Sequence, residues 1–106
     1  MPIKKQHLKS KPEVKVTFEV SKEACQGAVQ VFLLAEFNDW AELEMKALKS
    51  GSFKLVVNIA KDQQLSYQYK FKFCMPDGSI RFDNDWQAEA YVANEFGEEN
   101  SLLNLE

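Results

Sequence analysis

The stretch that decides the fold is Leu65–Cys74, which reads LSYQYKFKFC. Large apolar side chains alternate with polar ones along it, and a period of two is typical of a β-strand that has one face in a core. The apolar side chains that share one face are Leu65, Tyr67, Tyr69, Phe71 and Phe73. The side chains on the other face are Gln68, Lys70, Lys72 and Cys74. The alternation therefore predicts that Lys70 projects from the exposed face of its sheet.

Similar alternation recurs on both sides of this strand. Val14–Val20 and Phe53–Ile59 alternate apolar and polar residues, whereas Val29–Leu34 is apolar on both faces and is predicted to be covered on both. A short segment around Met45–Leu48 follows a loop, and Ser101–Leu105 is predicted to be the last strand.

The segment Met75–Gly78, which reads MPDG, predicts a tight reversal after the central strand. Proline presets φ at such a turn, aspartate favours it, and glycine accepts a positive φ. Ser79–Asp83 is then the hairpin partner, with Ile80 and Phe82 on one face. Ser21–Gly27 is predicted to be a polar turn, and residues 84–97 to be a loop.

Turns at intervals of about 8–12 residues and the lack of a helical period predict an all-β chain. We expect an antiparallel β-sandwich of about seven strands, immunoglobulin-like in size. The length of 106 residues supports one domain, over residues 13–106.

Residues 1–12 hold four lysines and no acid, and we expect them to form a disordered basic arm. The whole chain carries a net charge of −3, so residues 13–106 carry −7. Nucleic-acid binding draws most of its affinity from lysine and arginine on phosphate, so an acidic body argues against that class of partner.

Other classes of function lack the residues that they need. No run of about 18 apolar residues predicts a membrane span, and the N-terminus lacks the apolar region of a secretory signal. Cys25 and Cys74 stand far apart, so we expect two reduced thiols in a cytoplasmic protein. His7 is the only histidine, which argues against a metal site or a histidine-activated nucleophile. We expect no cofactor and no catalysis.

A sugar-binding surface agrees better with the residues present. The segment Phe37–Trp40, FNDW, follows a strand, and its turn decides whether the indole faces the core or a ligand. Tryptophan offers a flat platform for the apolar face of a sugar ring, while lysine and asparagine bond hydroxyls. The residues of these types that we single out are Trp40, Lys70, Trp86 and Asn100.

The run Val31–Trp40, VFLLAEFNDW, resembles the V-x-L-x-G-S-F-N-x-W opening of family 48 carbohydrate-binding modules. These include the glycogen-binding domain of AMP-activated protein kinase β subunits and the N-terminal domains of isoamylases and branching enzymes. The likeness continues through the segments Gly51–Phe53, Tyr67–Phe73, Asp77–Gly78 with Asp83, and Phe96–Asn100. It implies an early-set immunoglobulin-like sandwich that binds α-1,4-glucan, such as glycogen or a maltooligosaccharide.

The resemblance also implies roles for single residues. Trp40 matches a tryptophan that stacks on glucose, while Lys70 and Asn100 match residues that bond sugar hydroxyls. The family's second stacking tryptophan falls on Ile80, and Trp86 is the candidate substitute. Phe96 is expected to widen the apolar contact. The family's Gly-Ser before Phe-Asn is Ala35-Glu36 here, and Glu98-Glu99 changes the polar rim.

Two alternatives to glucan binding stay open. The first is a structural or protein-interaction module that kept the sandwich and lost the sugar, with a kinase-like or glucan-processing partner. The second is a small hydrolase using the acidic residues Asp77, Asp83 and Asp85, for which turn formation is the simpler interpretation.

Overall fold

The computed structural model describes residues 4–8, 10, 12–62, 64–85, 88–93 and 99–105. Within them the chain forms ten strands, a one-turn α-helix and a one-turn 3₁₀-helix. The strands are β1 (Lys4–His7), β2 (Glu13–Val20), β3 (Gln30–Ala35), β4 (Leu43–Glu44), β5 (Lys46–Ala47), β6 (Phe53–Ala60), β7 (Ser66–Cys74), β8 (Ile80–Asp83), β9 (Ala90–Ala93) and β10 (Glu99–Asn104). The helices are α1 (Lys22–Cys25) and the 3₁₀ turn Glu36–Asn38.

The strands form two sheets, and the pairs described are antiparallel. Sheet A has the order β1-β2-β6-β5. Sheet B has the order β4-β3-β7-β10-β9, and β8 also pairs with β7. The predicted all-β antiparallel sandwich is confirmed.

The number of strands differs from the prediction of about seven. The segment near Met45 is two strands, because the chain changes sheets there: β4 pairs with β3, and β5 pairs with β6. Strand β9 lies in the stretch predicted to be a loop. The strand was not predicted because four residues are too few to show a clear alternation of apolar and polar side chains.

The core lies between the inner faces of the two sheets. In sheet A the alternation of β2 buries Val14, Val16, Phe18 and Val20. In sheet B the buried residues of β3, β7 and β10 include Val31, Leu33, Tyr69, Phe71, Phe73 and Leu103. The rings of Phe18 and Tyr69 meet edge to face with their centroids 5.3 Å apart, so aromatic packing joins the sheets. The prediction that Leu65 belongs to this face is wrong, because β7 begins at Ser66 and Leu65 is 44% exposed.

The structure also differs from the prediction of a disordered arm at Lys4–His7, which pairs with β2 as an edge strand. Lys5 lies opposite the buried Val16 and so projects toward the inner face. Its ammonium group donates a 2.7 Å hydrogen bond to the carbonyl oxygen of Asn104 and forms an ion pair with Glu89. Lys5 therefore links the edge of sheet A to sheet B.

The predicted polar turn at Ser21–Gly27 contains α1. Ser21 caps this helix, because its hydroxyl accepts a hydrogen bond of 3.2 Å from the N–H of Ala24. The two thiols are unpaired, as predicted: Cys25 is buried at the end of α1, and Cys74 is half-buried. In the described ranges no helix is both long and apolar enough to cross a bilayer.

Candidate ligand-binding face

The outer face of sheet B carries the functional candidates, and β7 sets their direction. Its odd-numbered residues Tyr69, Phe71 and Phe73 are buried, so Lys70 and Lys72 project outward and are half-buried. The alternation predicts this outward direction of Lys70. Its side chain is nevertheless half-buried, because neighbouring residues cover part of it.

Strand β8 extends this face with two apolar side chains. Phe82 lies opposite Lys72, and Ile80 lies opposite Cys74, so both side chains share the outward direction of Lys72. Phe82 is 55% exposed and Ile80 is 53% exposed. The Lys70 ammonium lies 5.4 Å from the centroid of the Phe82 ring, within the range of a cation–π contact.

An open depression of about 380 Å³ lies at this point of the face. The residues that line it are Lys70, Phe82, Asp83, Asn84 and Glu99. Asn84 is fixed at both ends, since its side-chain amide donates to the carbonyl of Glu99 at 2.8 Å and its N–H donates to the Asp83 carboxylate at 2.8 Å. The depression therefore combines one aromatic ring with a cation, an amide and carboxylates.

Asn100 lies on the same face, one residue after Glu99. Ser101 lies opposite Tyr69 and is buried, so alternation directs Asn100 outward. Its amide nitrogen donates a 3.0 Å hydrogen bond to Oε1 of Gln68, and it is only 6% exposed. The side-chain oxygen of Asn100, Oδ1, is buried and has no hydrogen-bond partner within the described part of the chain. An unsatisfied buried acceptor costs free energy, so a further hydrogen bond to this oxygen would be favourable.

The FNDW loop lies beside Gln68. Glu36 accepts a 3.0 Å hydrogen bond from the N–H of Gln68, which holds the 3₁₀ turn against β7. Phe37 turns inward and meets the Tyr67 ring edge to face at 5.8 Å. Trp40 is 39% exposed. Of the two aromatics in the loop, Phe37 therefore serves the core and Trp40 is open to solvent.

The backbone fixes the position of Trp40 through strained geometry. The φ angle is 52° at Asp39 and 61° at Trp40, so both residues adopt the left-handed conformation. This conformation suits aspartate but is rare for a bulky residue such as tryptophan. The N–H of Trp40 donates a 2.9 Å hydrogen bond to the carbonyl of Ala35, which lies opposite Tyr69. The loop is thereby tied to sheet B one residue away from Lys70.

The structure thus brings Lys70 and Asn100 onto one face and places Trp40 on the loop beside it. Trp86 and Phe96 lie outside the described residues. Sequence reasoning missed Phe82 and Gln68 as members of the site. The signal for Phe82 was its position two residues after Ile80, which places both side chains on one face of β8.

The three aspartates considered for hydrolysis have different surroundings. Asp77 accepts hydrogen bonds from the hydroxyl and N–H of Ser79, which hold the pKa of its carboxyl below the ordinary value, so it serves the turn as predicted. Asp83 forms a 3.1 Å ion pair with Arg81. Asp85 has a role besides the turn, where its C=O accepts a hydrogen bond of 3.3 Å from the N–H of Ala88: its carboxylate is buried and accepts a hydrogen bond from Tyr69. No group of three or more metal-ligating side chains occurs among residues that the structure describes.

The chain matches no protein-family model, and a search of the curated proteins finds no similar one.

Proposed function

We propose that the protein binds α-1,4-glucan, such as glycogen or a maltooligosaccharide, without catalysis on the outer face of sheet B. The observation that carries the proposal is the convergence of Lys70, the exposed ring of Phe82 and the polar side chains of Asp83, Asn84 and Glu99 around one open depression. Asn100 lies on the same face, one residue after Glu99. The motivation from sequence is the resemblance to family 48 carbohydrate-binding modules.

The charges of the depression favour a neutral polyol. One lysine stands beside two carboxylates, Asp83 and Glu99, so an anionic ligand meets both attraction and repulsion. Sugar hydroxyls both donate and accept hydrogen bonds, and they can satisfy an ammonium group, a carboxylate and an amide together.

Phe82 supplies an aromatic platform two residues from Ile80, the position at which the family has its second stacking tryptophan. Its ring is more than half exposed, and a flat aromatic ring stacks on the apolar face of a glucose unit. Trp40 provides a larger platform on the neighbouring loop. We propose that Trp40 and Phe82 bind different glucose units of one chain, while Lys70 and Asn100 bond hydroxyls between them.

The proposal is tested by titrating maltoheptaose while amide NMR shifts are followed. Phe82→Ala should weaken binding about tenfold, since it removes a stacking contact of roughly 1–1.5 kcal/mol. Val29→Ala is the matched control, because Val29 is 57% exposed and does not line the depression. Cello-oligosaccharide of equal length tests whether the α-linkage matters. Unchanged shifts at millimolar maltoheptaose in the folded protein contradict the proposal.

A second candidate is a protein-interaction module that has lost glucan binding, with a kinase-like or glucan-processing partner. The exposure of Ile80 and Phe82 favours it, because adjacent exposed apolar side chains on a sheet face also fit a protein surface. A partner recovered equally well in the absence of glucan, with no maltoheptaose response, supports this candidate. In either case the two free thiols agree with the reducing cytoplasm, where we place the protein.

A further inference from the structure

Strand β6 has an open edge. It pairs with β2 along its whole length, from Phe53 to Ala60. On its other side β5 covers only Phe53 and Lys54. The remaining residues, Leu55–Ala60, have no neighbouring strand on that side within the described ranges. Their sequence is LVVNIA, which has high β-propensity and contains no charge, proline or glycine. Proteins commonly guard such edges with lysine or proline, because unpaired strand edges recruit other chains.

Two hydrogen bonds identify the backbone groups that face this edge. The N–H of Lys61 donates to Pro12 of the β2 side at 2.8 Å, so the odd-numbered residues of β6 bond β2. The N–H of Leu48 donates to Ser52 at 2.8 Å on the β5 side, so the even-numbered residues face the other way. The N–H and C=O groups of Val56, Asn58 and Ala60 therefore point to the open edge.

The side chains at this edge are compatible with another strand. Val56 is 44% exposed on the outer face of sheet A, and Asn58 is exposed beside it. Lys61 turns away, since its ammonium lies 3.3 Å from Nδ1 of His7 beyond β2. The carbonyl of Ala60 already accepts a hydrogen bond from the Tyr67 hydroxyl, but its second lone pair stays available.

We propose that the edge pairs with β6 of a second copy of this chain, in antiparallel register, with Asn58 opposite Asn58 on a two-fold axis. This interface goes beyond the glucan proposal and lies on the other sheet. Two features restrict the register. Strand β5 occupies the place beside Lys54, and the chain bends at Asp62, so the longest overlap is residues 55–61 of each copy. Even residues must also lie opposite even residues, because their N–H and C=O groups point to the open edge.

Charge complementarity supports the second copy as the occupant. In this register Asp62 of each copy follows the last paired residue and comes next to Lys46, at the start of β5 of the other copy. Lys46 lies opposite Lys54 on β5, so each end of the paired strands places one carboxylate near two ammonium groups. The three side chains are exposed and therefore accessible to a second molecule. Between these ends, Val56 lies opposite Ala60 of the second copy, and the two Asn58 amides meet.

A cysteine at the two-fold axis tests the register directly. Opposed residues in a hydrogen-bonded antiparallel pair have Cα atoms about 5.5 Å apart, within the range of a disulfide. In a Cys74→Ser background, Asn58→Cys should form a covalent dimer under mild oxidation. Lys15→Cys is the matched control: Lys15 is exposed opposite Asn58 on β2, about three strand spacings (~14 Å) from its counterpart. Equal cross-linking of both variants, or none in Asn58→Cys, overturns the proposal.

Sedimentation over a range of concentrations tests the interface without oxidation. The wild-type chain should show a monomer–dimer equilibrium. Asp62→Lys should weaken it about tenfold or more, and adding Lys54→Asp should restore much of the loss by exchanging the charges. Asn58→Pro should abolish the dimer while the fold persists, since that N–H faces the open edge and β2 loses no bond. A chain that stays monomeric at millimolar concentration, or a dimer that tolerates Asn58→Pro in a folded variant, refutes the interface.

Discussion

The hydroxyl of Tyr69 donates a 2.8 Å hydrogen bond to Oδ2 of Asp85, and both side chains are buried. The backbone of Asp85 joins the same network: its N–H donates to the Ser101 hydroxyl at 2.9 Å, and its C=O accepts from the Tyr91 hydroxyl at 2.6 Å. Residues from β7, β9 and β10 therefore meet at one aspartate. A buried carboxylate needs such hydrogen bonds to offset the loss of hydration.

Removing the hydroxyl in Tyr69→Phe should lower the free energy of unfolding by about 1–3 kcal/mol, because the buried Asp85 loses a donor while the packing of the ring persists. Urea unfolding measures the change. Tyr67→Phe is the control: the Tyr67 hydroxyl donates a longer bond of 3.3 Å to Ala60 in an exposed setting, so a smaller loss is expected. If the two variants lose the same free energy of unfolding, the hydrogen bond from Tyr69 to Asp85 contributes no more than an exposed one, which contradicts the prediction.

The same pair predicts a loss of stability in alkali. Burial raises the pKa of the Tyr69 hydroxyl above its ordinary value of 10, and the negative charge and hydrogen bond of Asp85 raise that pKa further. The unfolded chain then releases this proton at lower pH than the folded chain, so stability is complete below about pH 10 and falls as pH rises above it. The difference in unfolding free energy between wild type and Tyr69→Phe should therefore shrink above pH 10. A constant difference from pH 8 to 11 argues against this assignment.

A gain of affinity tests the missing platform of the proposed glucan site. Ile80 is 53% exposed on the outer face of sheet B, so Ile80→Trp adds an indole there without disturbing the core. It should tighten maltoheptaose binding about tenfold. Titration calorimetry measures the change. Val56→Trp places the same indole on sheet A, at a position that is 44% exposed, and should leave the affinity for maltoheptaose unaltered. Equal gains from both variants would indicate non-specific adhesion.

The fold follows from the sequence where alternation is long. Strands β2, β6 and β7 each have eight or nine residues, so the period of two stands out clearly. The shorter elements escape this reasoning. The helix α1 has four residues and shows no helical period, and β1 consists of polar residues whose order comes from pairing with β2. For such elements tertiary contacts, rather than local pattern, decide the conformation.

The site was predictable where residue type and alternation act together. The outward direction of Lys70 follows from β7 alone. The burial of Asp85 does not, because an acid next to Asn84 in a polar segment has the same appearance whether it forms a turn or bonds a distant tyrosine. The exposure of Phe82 depends on the register of β8 against β7. The hydrogen bonds of the MPDG turn set that register, and they are seen only in the structure.

The left-handed backbone of Trp40 implies a trade-off between stability and the orientation of its indole. Trp40→Gly and Trp40→Ala remove the same aromatic contacts, yet glycine adopts a φ of 61° without strain whereas alanine does so at a cost. The glycine variant should therefore be more stable than the alanine variant by about 1 kcal/mol, the reverse of the order in ordinary strands. Thermal unfolding of the two variants measures this difference. If the alanine variant is the more stable one, the loop has relaxed out of the left-handed conformation and the prediction fails. A preference for glycine here would show that the chain keeps a side chain that its own backbone disfavours, as expected if selection acts on what Trp40 contacts outside the fold.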